Sequence, residues 1–216
     1  MKCDVILAGV GGQGVLSIAA IIAKAAVAKG LTVRQSEVHG MAQRGGAVLA
    51  HLRIADGHIA GDLVPKGGAD LIISVEPVEA LRYVSWLSPK GAVVTAAEPF
   101  VNIPDYPNLE TIHNAVRSFP AHALVEASTL AKEAGLARAV NMVMVGAAQP
   151  WLPLTAEDIE ATVCEMFASK GSEVIEANKR ALELGAAACT ANGVDAANGV
   201  GAANTVGAAC IDRTGV

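Results

Sequence analysis

The sequence predicts an α/β domain: a mainly parallel sheet flanked by helices, with an inserted antiparallel hairpin and a helical C-terminal part. Three observations carry this reading. Continuous apolar runs such as "ADLIISVEP" and "GAVVTAA" alternate with segments of helical period, the pattern of strands buried on both faces by crossover helices. A glycine-rich turn, "GVGGQG", joins the first such run to the first helical segment. Finally, the residues from Ala47 to Ile54 alternate, which is the mark of a half-exposed strand.

In chain order, Asp4 to Ala8 is a short buried strand. "VLSIAAIIAKAAVAKG" repeats apolar residues at helical spacing and stops at Gly30. "LTVRQSEV" is a second strand, completing a strand–helix–strand unit. After the polar loop "HGMAQRGG", the alternating strand places Val48, Ala50, Leu52 and Ile54 on one face and Leu49, His51 and Arg53 on the other. Asp56-Gly57 then reads as a tight turn, from which "HIAGDLV" returns antiparallel, so His51 and His58 are expected at solvent or an interface.

Strand and helix alternation resumes with "ADLIISVEP", the short helix "VEALRYVSWL" and the strand "GAVVTAA". A Pro-rich loop leads to a small helix from Leu109 to Arg117, and "AHALVEA" supplies a last core strand. The remainder is helical, with Ser128 and Thr155 as N-caps, the latter in capping-box spacing with Asp158. The folded domain is expected over residues 1–185. Residues 186–216 are built largely from Ala, Gly, Asn, Val and Thr, bury little, and are expected to form a mobile tail.

Composition removes several classes of function. The net charge of −5, with basic residues scattered singly, offers no stripe for a phosphate backbone, so no nucleic acid partner is expected. Although 52% of residues are hydrophobic, no run approaches the roughly eighteen needed to span a bilayer. The first residues carry no signal-peptide cleavage pattern, so the expectation is a mature N-terminus and a cytoplasmic location. The four cysteines, at 3, 164, 189 and 210, lack the spacing of a zinc site or an iron–sulfur cluster, and no metal is expected.

Gly9-x-Gly11-x-x-Gly14 between strand and helix permits a tight turn, close approach of a phosphate, and helix N–H groups aimed at an anion. Glu37, near the end of the second strand, could hold a ribose hydroxyl and so complete the site of a free-standing NAD-binding oxidoreductase. The second loop, "SEVHGMAQRGG", argues differently. Two glycine loops at one sheet edge form a backbone-lined surface able to receive a phosphate or another protein, which keeps open a purely structural scaffold.

Together, "GVGGQG" and, one strand–helix–strand unit later, "SEVHGMAQRGG" closely resemble the gamma-type subunit of the 2-oxoacid:ferredoxin oxidoreductases. "ADLIISVEPVEALR", "NMVMVGA" and "EANKRALELG" add to the resemblance, which runs from about residue 3 to 185; Leu182 stands where the family has Phe.

The resemblance implies decarboxylation of a 2-oxoacid on thiamine diphosphate, electron transfer through iron–sulfur clusters to ferredoxin, and acyl transfer to coenzyme A. An arylpyruvate, indolepyruvate first, is the implied substrate; pyruvate and other 2-oxoacids are the alternatives. No "GDG" is present for a magnesium diphosphate, since Gly61-Asp62 is followed by Leu63. Thiamine diphosphate, Mg and clusters are therefore expected on a large alpha subunit.

On this chain, the cofactor-binding candidates are Gly9, Gly11, Gly12, Gln13, Gly14, Gln43, Arg44 and Gly45, with Arg44 suited to the diphosphate of coenzyme A. His39 is the catalytic candidate, by its pKa range, against a plain role in fixing the loop. Met41, Met142 and Met144 suggest a partner surface, but two methionines two residues apart on a helix cannot share one groove, so at least one is expected in the core.

Overall fold

The computed structural model describes residues 1–39, 45–101 and 103–191. Six strands form one sheet: β1 (Lys2–Val10), β2 (Thr32–His39), β3 (Ala47–Ala55), β4 (Ala69–Ser74), β5 (Leu87–Ala96) and β6 (Ala121–Val125), in the order β2-β3-β1-β4-β5-β6. β1, β4, β5 and β6 pair parallel, as continuous apolar strands joined by crossovers do.

The hairpin differs from the sequence expectation. β3 pairs antiparallel with β2 on one side, through the loop that carries the second glycine pair, and with β1 on the other. The segment 58–64 forms no strand. β3 is thus an interior strand inserted between β1 and β2, and its second face is covered. His51 is buried, contrary to its expected exposure: its Nδ1 accepts the amide of Val64 at 3.2 Å, and Trp86 stands edge-on to its ring. His58 is exposed.

Arg53 crosses to the fully buried Asp4 with two hydrogen bonds, at 2.8 and 3.1 Å, and also donates to the carbonyls of Gly61 and Leu63. One guanidinium therefore satisfies a buried carboxylate and fastens the irregular segment over the sheet.

Seven α-helices cover the sheet: α1 (Val15–Ala28), α2 (Pro77–Arg82), α3 (Leu109–Arg117), α4 (Ala127–Glu133), α5 (Val140–Ala148), α6 (Ala156–Phe167) and α7 (Ser172–Ala191). The main core joins Val5, Leu7, Leu71, Ile73 and Val94 to α1, α5, α6 and α7, whereas α2 and α3 pack on the other sheet face through Ala80, Val93 and Val116. Met142 and Met144 are both buried.

α5 and α7 approach until their backbones touch. A Cβ on Gly146 would land on the carbonyl of Leu182, and one on Gly185 on the carbonyl of Val143. α7 continues past Gly185 to Ala191, with Cys189 fully buried; residues 192–216 lie outside the described part.

Helix ends follow local chemistry. Thr155 and Asp158 form the expected capping box on α6. α4, however, is not capped by Ser128: the Glu98 carboxylate, reaching from the end of β5, accepts the amides of Ala127 and Ser128 at 3.1 and 2.7 Å. A longer acidic side chain from the loop after β5 fills the place that the local pattern assigns to a hydroxyl.

Candidate functional site

α1 leaves β1 on one face of the sheet and α2 leaves β4 on the other, so a crevice opens where the two adjacent parallel strands diverge. It is a cleft of about 540 Å³, lined on one side by Gly12, Gln13 and Gly14 and on the other by Glu98, Arg138 and Asn141, with Val75 at its floor.

The first glycine loop is ordered by specific contacts. Gln13 accepts the Val10 amide on its side-chain oxygen at 2.8 Å and donates from Nε2 to the Val75 carbonyl at 3.2 Å, tying the turn after β1 to the end of β4. Gly9 is required by packing, because a Cβ there would meet methyls of Val75 at 2.5 Å and Val15 at 2.7 Å. Gly14 caps α1 with a φ of 79°, and the Asn141 side-chain amide occupies the space that its Cβ would need.

Gly12, with a φ of 100°, has open space where a Cβ would be. Of the glycine candidates, Gly12 and Gly14 line the cleft. Gly11 is occupied otherwise: its amide donates to the Gly46 carbonyl at 2.8 Å, and its carbonyl accepts the Gly45 amide at 3.2 Å. The two glycine loops are therefore joined backbone to backbone, as their placement at one sheet edge predicts.

Gly45 also lines a second hollow of about 200 Å³ with Glu76, Arg82 and Tyr106. Gln43 and Arg44 lie outside the described residues, as does the imidazole of His39; only its backbone, the last residue of β2, is described.

Sequence reasoning missed Arg138, Asn141, Glu98 and Ser128. Asn141 lies inside the quoted "NMVMVGA", but its contact with Gly14 joins two helices more than a hundred residues apart in sequence. Nothing local marks Arg138 as facing a turn so distant in sequence.

Glu37 sits on β2, with β3 between it and β1. Two inter-strand spacings, roughly 10 Å, separate β2 from the glycine turn, whereas the ribose-binding acid of a dinucleotide fold ends the strand beside β1.

Residues 4–188 match the pyruvate ferredoxin/flavodoxin oxidoreductase family, to which the chain belongs. Over 192 residues it is 39% identical to indolepyruvate oxidoreductase subunit IorB of Pyrococcus horikoshii, an alignment spanning 84% of this chain and 93% of that one. Pyruvate oxidoreductase subunit PORC from Thermotoga maritima superposes with a TM-score of 0.66 at 26% identity, covering 85% of this chain and 94% of that one. A 2-oxoglutarate:ferredoxin oxidoreductase from Magnetococcus marinus, solved with 2-oxoglutarate, coenzyme A and succinyl-CoA bound, shares the fold with a TM-score of 0.70 at 21% identity. That alignment covers 88% of this chain but 31% of that one.

Proposed function

We propose that this chain is the small subunit of an indolepyruvate:ferredoxin oxidoreductase. The complex converts an arylpyruvate and coenzyme A to arylacetyl-CoA and carbon dioxide, passing two electrons to ferredoxin. The observation that carries this reading is the similarity over 84% of the chain to an indolepyruvate oxidoreductase subunit, well above the similarity to the pyruvate and 2-oxoglutarate enzymes.

The described cysteines, at 3, 164 and 189, give no cluster of thiols that would suit the redox groups. A cluster needs thiolates, yet Cys3 and Cys189 are fully buried, and burial drives both thiols up, Cys189 to about 11. Among the described residues, no group of three or more His, Cys, Asp or Glu could hold a metal ion. We assign thiamine diphosphate, Mg and the clusters to a large alpha subunit, and the burial of Cys3 and Cys189 supports this.

This chain's own part is contact with coenzyme A at the switch-point cleft. The open backbone at Gly12 and the start of α1 suit a phosphate, and the Arg138 guanidinium adds a charge-assisted donor. Glu98 does not oppose an anion as a free carboxylate would, since two α4 amides already share its charge. Arg44 would supply a second guanidinium.

In the purified complex, Arg138→Ala should raise the KM for coenzyme A about tenfold, in line with roughly 1.5–3 kcal/mol for a hydrogen bond to a charged group, and leave that for the oxoacid unchanged. Arg44→Ala should act in the same direction. A scaffold role, favoured by the full commitment of Gly11 and Gln13 to structural hydrogen bonds, instead requires both KM values to stay put. The substrate is read from the same preparation: indolepyruvate should outrun pyruvate in coenzyme A-dependent ferredoxin reduction, and the reverse order would assign a pyruvate enzyme.

A further inference from the structure

We infer that the loop between β5 and α3 is the surface on which the large, cofactor-bearing subunit seats, with Phe100, Val101 and Ile103 as its apolar contacts. Phe100 is 43% exposed, Val101 67% and Ile103 37%. Three large apolar side chains within four positions face solvent, and the loop's own anchoring explains why they stay there. The buried Glu76 carboxylate accepts the Phe100 amide at 3.5 Å and the Tyr106 hydroxyl, and Glu98, two residues before Phe100, is bound to the start of α4.

The loop is therefore held by carboxylates at Glu98, at Phe100 and at Tyr106, on either side of its apolar residues. Docking on a loop held in this way lessens the entropy loss of arranging it, and an apolar cluster rimmed by polar groups is the usual form of an interface core. Its place in the fold is equally specific. Phe100 lines the large cleft, while Ile103 lines the hollow that includes Gly45 of the hairpin loop. A body seated on this strip would close the open side of the cleft and reach the hollow beside Gly45 in one approach. Val38, exposed at the end of β2, belongs to the same sheet rim.

The occupant follows from two facts. In the Magnetococcus enzyme this fold makes up 31% of a longer chain, so there it works as one part of a larger polypeptide. In the present chain the described residues bring no group of three or more metal-ligating side chains together, and two of the three described thiols are buried, which fits a reacting centre brought to the cleft by another polypeptide. The interface rests on the functional reading given above, and the experiment separates the two.

Tagged wild-type chain, co-expressed with the large subunit and purified without oxygen, should carry iron and thiamine diphosphate in fixed ratio. Val101→Asp and Ile103→Asp should each lower both at least about tenfold, whereas Leu63→Asp, equally exposed at the opposite rim, should leave them unchanged. A photo-crosslinking residue in place of Val101 should join the chain to the large subunit in the intact complex, and one in place of Leu63 should not; this arm does not depend on how well an aspartate variant folds. Retained iron in both aspartate variants, together with no cross-link from position 101, would overturn the interface while leaving the functional reading intact. Cross-links from 101 to a second copy of this chain would overturn it in favour of a homodimer. Wild-type protein that brings no iron–sulfur chain with it would overturn both.

Discussion

His51 shows what a single side chain does once its strand is enclosed. Burial, and then the neighbouring charge of Arg53, hold its pKa below the ordinary imidazole value of 6.5. Between that lowered value and 6.5 the unfolded chain binds more protons than the native one, so stability is fully present above the window and falls as the pH drops through it. Wild-type protein should therefore lose more of its Tm between pH 7.5 and 5.5 than His51→Asn, which keeps an acceptor for the Val64 amide without the titration. A difference of roughly 2–4 °C corresponds to about 1 kcal/mol in a chain of this size. Equal slopes would show that His51 stays solvated. The sequence placed His51 correctly on the face opposite Leu52, since a period of two fixes faces. It could not reveal that the second face is covered, because the covering segment, 58–64, has no periodicity of its own. The same limit applies to the site: Gly12 and Gly14 are readable from their spacing, whereas Arg138 and Asn141 reach them across the fold.

At the scale of elements, the contact between α5 and α7 is the least forgiving. Gly146 and Gly185 each stand where a methyl group would strike the facing helix backbone, which cannot rotate aside as a side chain can. Gly185→Ala should lower stability by roughly 3 kcal/mol or more, at or beyond the upper end of overpacking costs. Chemical denaturation would measure this as a shift of midpoint at constant slope; a neutral result would mean that the helices slide apart freely. Two helices are where the pattern puts them, Leu109–Arg117 and the one opened by the Thr155 capping box. The hairpin is not. Asp56-Gly57 is a good local turn, but β3 is paired over its whole length on both sides, and those ladders outweigh whatever a two-residue turn can favour. The cap of α4 failed for a similar reason, a distant Glu98 replacing the adjacent Ser128.

For the molecule as a whole, the core extends to the end of α7. Truncation after Gly185 removes the buried Cys189 and the neighbouring Ala188, which packs against the core, and should lower the Tm by several degrees. An unchanged Tm would mean that the last turn of α7 contributes nothing. Alternating apolar runs made the α/β class legible at this scale, whereas a composition rich in alanine hid that the last helix runs past Gly185 to Ala191, since small residues pack helices as well as they fill tails. The position of β3 also orders events in time. β1 leaves the ribosome first, yet one of its two neighbours is not complete until roughly 45 residues later, about 2–9 s at ~5–20 residues per second. Until then the first strand has no place in a sheet, and β2 and β3, close in sequence, can zip together before it joins them. The nascent chain thus grows its sheet from the hairpin inward, and a pause in translation just before Ala47 would leave an unpaired apolar strand available to chaperones or to aggregation.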